Sequence, residues 1–193
     1  MQQNFEGIQG YLNKLAPIVP VVTALPTSPA DGTVIDYVAD STNGVVWRFR
    51  YRSSSGSSYK WEFVGGGPLY TSVGSGGGPA SITAATWSDS PTTQCDVTLP
   101  LAGDYEIVGQ TILNPAVAGI AIVGVAIGVG GSPGVTLQAV NYVTAGGYWS
   151  GAINGLSTGL AGGTVLRMRY WHSSTGNITV SGTNLLTRPI RVG

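Results

Sequence analysis

The sequence predicts an all-β protein: a small antiparallel three-stranded meander followed by a jelly-roll-like β-sandwich, with a short N-terminal helix. Three observations carry this prediction. Charged residues make up only 9% of the 193-residue chain, against about 25% in average soluble domains. Thirty glycines and eleven prolines punctuate it, and between them lie short runs rich in Val, Ile, Thr, Tyr and Trp. A hydrophobic content of 42% with zero formal net charge excludes a disordered chain, which lacks the apolar surface to offset its ordering entropy.

Residues 2–15 are the one stretch with helical spacing. Phe5, Ile8, Leu12 and Leu15 recur at intervals of three, four and three, the seam of a short coiled coil. Gly7 and Gly10 weaken it by about 1 kcal/mol each relative to alanine. The helix therefore needs a partner, either its own domain or its copies around an oligomer axis. Pro17, Pro20, Pro26 and Pro29 fix φ and remove backbone donors, so residues 16–32 read as an extended connector. Residues 1–32 together form an expected anchor.

The runs 33–40, 45–52 and 59–65 are separated by the turn-forming STNG and SSSGSS. They read as a meander within a β module of residues 33–70. Glycine-rich residues 71–79 read as a linker. Beyond it, residues 80–193 carry strand-like runs at 81–88, 95–100, 104–113, 119–129, 135–143, 147–154, 163–172 and 177–192. So many short strands suit a jelly-roll-like sandwich.

The module holds an arginine stripe, and its neighbours say what it does. In a strand alternate side chains share a face, so Trp47, Phe49 and Tyr51 point one way and Arg48, Arg50 and Arg52 the other. Trp61 and Phe63 extend the aromatic face, while Asp36, Asp40 and Glu62 fall beside the arginines. Residues 31–64 contain four acidic and four basic side chains, so the module has no surplus positive charge for a phosphate backbone. Cross-strand ion pairs over an aromatic core are expected, and nucleic acid is not an expected partner.

Catalytic signatures are sparse. The letters G-x-S-x-G occur at 130–134 (GGSPG) and 155–159 (GLSTG), but strand-like rather than helical runs follow both, so neither reads as a nucleophile elbow. The one histidine, His172, precedes the turn-like SSTG and reads as a loop or rim residue. One His and one Cys make a zinc site implausible. Asp31, Asp36 and Asp40 do not follow a calcium-loop pattern. Nothing selects two glycosidase carboxylates from Asp89, Asp96, Asp104 and Glu106. No enzyme activity, cofactor or metal is expected. Cys95 alone cannot form an internal disulfide and reads as a buried thiol. The first residues lack a basic stretch followed by an apolar one, so no secretory signal is expected. Residues 116–131, the most apolar run, fall short of the ~20 needed to span a bilayer as a helix and are interrupted by glycine; no membrane insertion is expected.

Two patterns remain open. Residues 89–106 carry acids and no bases, whereas 167–191 carry Arg167, Arg169, Arg188 and Arg191 and no acids. Pairing within one sheet or between subunits would account for both. The ring pairs Tyr148–Trp149 and Tyr170–Trp171 lie close to turn signals, where exposed rings could stack on sugars. They are the candidate carbohydrate contacts.

The segment ALPTSPADGTVIDYVADSTNGVVWRFRYRSSSGSSYKWEFVGGGPLY, residues 24–70, resembles a small module of tail-associated and other virion proteins of double-stranded DNA bacteriophages. The features that carry the resemblance are LP..P.DG, YVAD, NG..W.FRYR and YKWEFVGG.PL. LPLAGDYEI and GGTVLRMRYW…RPIRV are similar to the β-sandwich that follows this module in such chains. The resemblance implies a virion structural protein, assembled in the host cytoplasm, trimeric and with a jelly-roll tip. A minor tail or tail-tip role is the first expectation. Residues 1–32 would then meet other virion proteins, and the sandwich would face the host surface and its glycans. A capsid decoration or head-fibre protein is the second expectation, and a tail polysaccharide-degrading enzyme the third.

Overall fold

The computed structural model describes residues 18–73, 77–82, 87–89, 95–127, 135–174 and 176–193. The expected N-terminal helix and its seam at Phe5, Ile8, Leu12 and Leu15 lie outside them. Fourteen strands are present in the described residues: β1 Val21–Val22, β2 Val34–Asp40, β3 Val45–Tyr51, β4 Trp61–Gly66, β5 Leu69–Val73, β6 Gly77–Ile82, β7 Ser88–Asp89, β8 Asp96–Thr98, β9 Gly103–Pro115, β10 Gly119–Ile127, β11 Val135–Val143, β12 Trp149–Leu160, β13 Val165–His172 and β14 Gly176–Val192.

The meander forms as its alternation dictates. β2, β3 and β4 pair antiparallel with Phe49 opposite both Ile35 and Phe63. Trp47 and Phe49 are fully buried, with Ile35, Tyr37 and Trp61 around them. The β2–β3 turn is fixed by Asp40. Its carboxylate accepts the backbone N–H groups of Thr42 and Asn43 and the Asn43 side-chain amide, and Gly44 supplies φ +67°, the left-handed conformation that closes such a loop.

The connector is docked along much of its described length. Val21 and Val22 pair parallel with β2, and the Asp36 N–H donates to the Pro20 carbonyl at 2.9 Å. Val22 and Leu25 pack on the core. Residues 18–32 therefore behave as part of the module. Proline excluded a helix here, as expected, but left the chain free to lie along an edge strand, where a missing N–H costs little.

Sandwich strands pair in a nested order. β6 pairs β14, β8 pairs β13, β9 pairs β12 and β10 pairs β11, all antiparallel. One long hairpin of eight strands has in effect been folded over so that its pairs alternate between two sheets, which is the jelly-roll arrangement. One sheet runs β1-β2-β3-β4-β14-β9-β12, with β5 and β6 also on β14; the other runs β11-β10-β13-β7, with β8 on β13.

The expected linker at 71–79 is not observed as one. Residues 71–73 end β5 and residues 77–79 begin β6, and both strands pair with β14. β4 also reaches β14 through Arg191↔Glu62 and Val192↔Trp61. Module and sandwich thus share one sheet, and Trp47 packs on Tyr105 of β9 with ring centroids 6.3 Å apart. Glycine argues for flexibility only when its backbone groups find no partner, and here a 17-residue strand supplies partners along its length.

β14 is long enough to do this because bulges bend it, at Val180/Gly182 and at Pro189/Arg191. Proline cannot donate to the ladder, so the second irregularity falls at the residue that requires it. At the first, the Gly182 carbonyl accepts the Thr111 hydroxyl at 3.1 Å. Thr111 also meets the Thr183 hydroxyl at 2.9 Å, and Thr183 meets that of Tyr170 at 2.7 Å. This satisfied polar chain crosses an interior otherwise filled by Ile107, Leu113, Val123, Val125, Leu166, Met168 and Leu185.

Candidate functional site

Many charged groups of the described residues are paired with one another within the chain. Arg48 forms a two-pronged pair with Asp36 at 2.7 and 2.8 Å. Arg50 and Arg52 converge on Glu62 at 3.4 and 3.1 Å. Hydrogen bonds from Arg48 hold the Asp36 carboxyl below its usual range, and those from Ser53 do the same for Asp31. The stripe is the charged outer face of a strand, as its alternation predicted.

The segregated acids and bases of the sandwich also meet inside one chain. Arg167 clamps Asp96 at 2.8 and 2.6 Å, and Arg188 meets Glu106 at 2.9 Å. Asp89 and Asp104 stand in register with Arg169 and Arg191, and the Asp104 carboxylate accepts the Gly159 N–H. Folding β8 and β9 against β13 and β14 brings opposite charges together, so no second subunit is needed to neutralise them. Among the described residues no three His, Cys, Asp or Glu side chains are grouped to hold a metal ion. No helix among them is long and apolar enough to cross a membrane.

His172 corrects an expectation. It is 1% exposed rather than on a rim, because β13 extends to it and turns its ring inward. Nδ1 lies within hydrogen-bond distance of the Ser174 carbonyl and N–H, and Nε2 has no partner. Cys95 is buried as expected, with its thiol 3.4 Å from the Thr183 carbonyl.

The four candidate sugar-contacting rings divide. Tyr148 is 75% exposed, whereas Trp149 and Tyr170 are buried. Trp171 is half-buried on the outward face of β13. Adjacent residues on a strand face opposite ways, which separates Tyr170 from Trp171, while Tyr148 stands in the loop before β12 begins at the buried Trp149.

Residues that sequence reasoning passed over complete an apolar patch around Trp171. Register places Val140, Ile122 and Trp171 in one row across β11, β10 and β13, with Tyr142 beside Ile120 in the next. Val140, Tyr142 and Ile120 are exposed. Tyr148 lies at the same end of the sandwich, in a 144–148 loop pinned by the Gly146 N–H to the Pro115 carbonyl. The signal for Val140 and Tyr142 was the alternation of QAVNYV. For Ile120 and Ile122 none existed, since every residue of β10 is apolar or glycine.

This patch and the module occupy opposite ends. β14 meets β4 at Arg191 and Val192, and meets the last residue of β9, Pro115, at Ile178. The distance between is roughly 45 Å at about 3.3 Å per residue. The molecule is an all-β jelly-roll sandwich with a meander fused to one end and exposed aromatics at the other.

No family model matches the sequence. No curated protein matches it either. Solved structures with some likeness include Eiger TNF from S. frugiperda, with a TM-score of 0.40, 11% identity and coverage of 66% of this chain and 96% of that one. A chain of infectious bursal disease virus, Gx strain, gives 0.42 and 15% over 74% of this chain and 38% of its own length. BiXyn10A CBM1 in its apo form gives 0.28 and 12% over 84% and 94%. None of these likenesses bears on function.

Proposed function

We propose that this chain is a bacteriophage virion structural protein of the tail or tail tip, without enzymatic activity, held in the particle by its N-terminal residues and turned outward at its aromatic end. The observation that carries the reading is the opposition of those two ends. The chain leaves residues 1–17 at the exposed Ile18 and enters the module, and the exposed rings Tyr142 and Tyr148 lie at the far end of the sandwich. An anchored protein that contacts a surface needs this polarity. The sequence resemblance of residues 24–70 supplies the virion context. Neutral, aromatic and aliphatic groups at the outward end suit the apolar faces of host glycans better than charged ligands.

The test is incorporation followed by adsorption. A chain beginning at Ile18 should stay soluble and β-rich yet be missing from assembled particles. Particles carrying Tyr142→Ala and Tyr148→Ala should assemble normally but adsorb to host cells more slowly. Normal incorporation without residues 1–17 would overturn the anchoring, and unchanged adsorption would overturn the outward role of the rings. Label found on the capsid shell rather than the tail would favour a decoration protein.

A further inference from the structure

We infer that the outer face of the β5-β14-β9-β12 sheet, together with the free edge of β12, is the surface through which copies of this chain associate. This rests on the virion reading above and names a surface for the trimer that the sequence resemblance implies. Two independent observations lead there.

The first is the face itself. Cross-strand rows place Tyr70, Leu186, Val108 and Asn154 side by side, then Ser72, Asn184, Gln110 and Ala152, then Ile112 and Ser150. Tyr70 and Ile112 are 53% and 43% exposed. Charge enters only near the module, where Arg188 and Glu106 neutralise each other. A shallow hollow of about 230 Å³ opens between Gln110, Ile112, Ala152 and Asn184. The outer face of the other sheet differs, because Arg167, Arg169 and Asp96 cross its middle. Four strands about 4.8 Å apart, over about 25 Å of length, present roughly 500 Å² in flat projection. Side-chain relief raises that towards the ~800 Å² per partner of a stable interface.

The second is the edge. Among the described residues β12 pairs only with β9, so one side of a 12-residue strand has no ladder partner among them. Residues 107–166 contain no charged side chain, and β12 has no proline. Lone chains guard such edges with lysine or proline; this one is guarded by neither. Leu156, 64% exposed, stands on the same strand. Face and edge are different surfaces that adjoin at β12. A copy presenting its edge to the face of the next makes a heterologous contact, which closes into a three-membered ring when successive copies are turned by a third of a revolution.

Sedimentation velocity on the full chain tests this, with Ile112→Arg and Leu156→Arg as probes, Val64→Arg on the module as control and Leu12→Asp in the N-terminal seam as contrast. All three arginines replace exposed side chains, and circular dichroism checks that each variant folds. The wild type and Val64→Arg should form one oligomer at micromolar concentration. Ile112→Arg and Leu156→Arg should weaken it on the order of a hundredfold, because an unpaired guanidinium would be buried. A monomeric wild type would overturn the inference and the trimer with it. Association that survives both face variants and is lost only with Leu12→Asp would leave the trimer standing and overturn the face.

Discussion

Replacing Trp47 by alanine should destabilise the entire chain rather than the meander alone. The side chain is fully buried, packed edge-on against Phe49 at 6.0 Å and tilted against Tyr105 of β9. Its Nε1–H donates to the Gly67 carbonyl at 2.8 Å. A tryptophan hides about 200–250 Å², so at about 25 cal/mol/Å² the transfer is worth at most about 5–6 kcal/mol. The retained β-carbon and partial collapse of the cavity lower this to about 3–5 kcal/mol. The lost hydrogen bond adds little, because Gly67 is exposed and its carbonyl can turn to water. For a chain of this size about 2–4 °C is lost per kcal/mol, giving a fall in Tm of roughly 6–20 °C. Because β4, β5 and β6 all pair with β14, calorimetry should show one transition moving as a unit. An unchanged Tm would refute the assignment of Trp47 to the core. A low-temperature module transition beside an unshifted sandwich transition would refute the coupling through the shared sheet.

Two further outcomes follow from charge and burial. Burial pushes the Tyr105 phenol well above its ordinary range, and its hydroxyl donates to the Leu101 carbonyl, a bond only the neutral form can make. The stabilisation this represents is complete below the ordinary phenol pKa of about 10 and is lost as pH rises above it towards the folded value. Tm should therefore fall steeply beyond pH ~10, and Tyr105→Phe should flatten that fall; identical alkaline profiles would contradict it. Arg167→Met should cost roughly 1–3 kcal/mol with little dependence on salt, since Arg167 and Asp96 are only 12% and 20% exposed. Arg48→Met, at a pair whose arginine is 51% exposed, should cost less and lose its effect in high salt. Chemical denaturation at two ionic strengths checks both, and the reverse order would show that burial does not rank these pairs.

The sequence by itself determined the faces of the meander. A period of two is local, so Trp47 and Phe49 had to share one side and the arginines the other, with acids within reach. It also determined that the connector is not helical, because proline acts on its own φ. What it could not determine was pairing partners. The stretch 71–79 looked like a linker because propensity describes a segment in isolation, whereas β14 offered a ladder to β5 and β6, which enter it from either side. Of the proposed ring contacts, Tyr148 and Trp171 reached the surface and Trp149 and Tyr170 did not. Inward or outward along a strand depends on register against a partner distant in sequence, Leu113 for Trp149 and Val123 for Tyr170. Tyr142 was legible in the alternation of QAVNYV, but which of its two faces turned outward was set by pairing with β10. The closing of acids on bases between β8 or β9 and β13 or β14, and the burial of His172, likewise required the folded hairpin of strands to bring distant residues together.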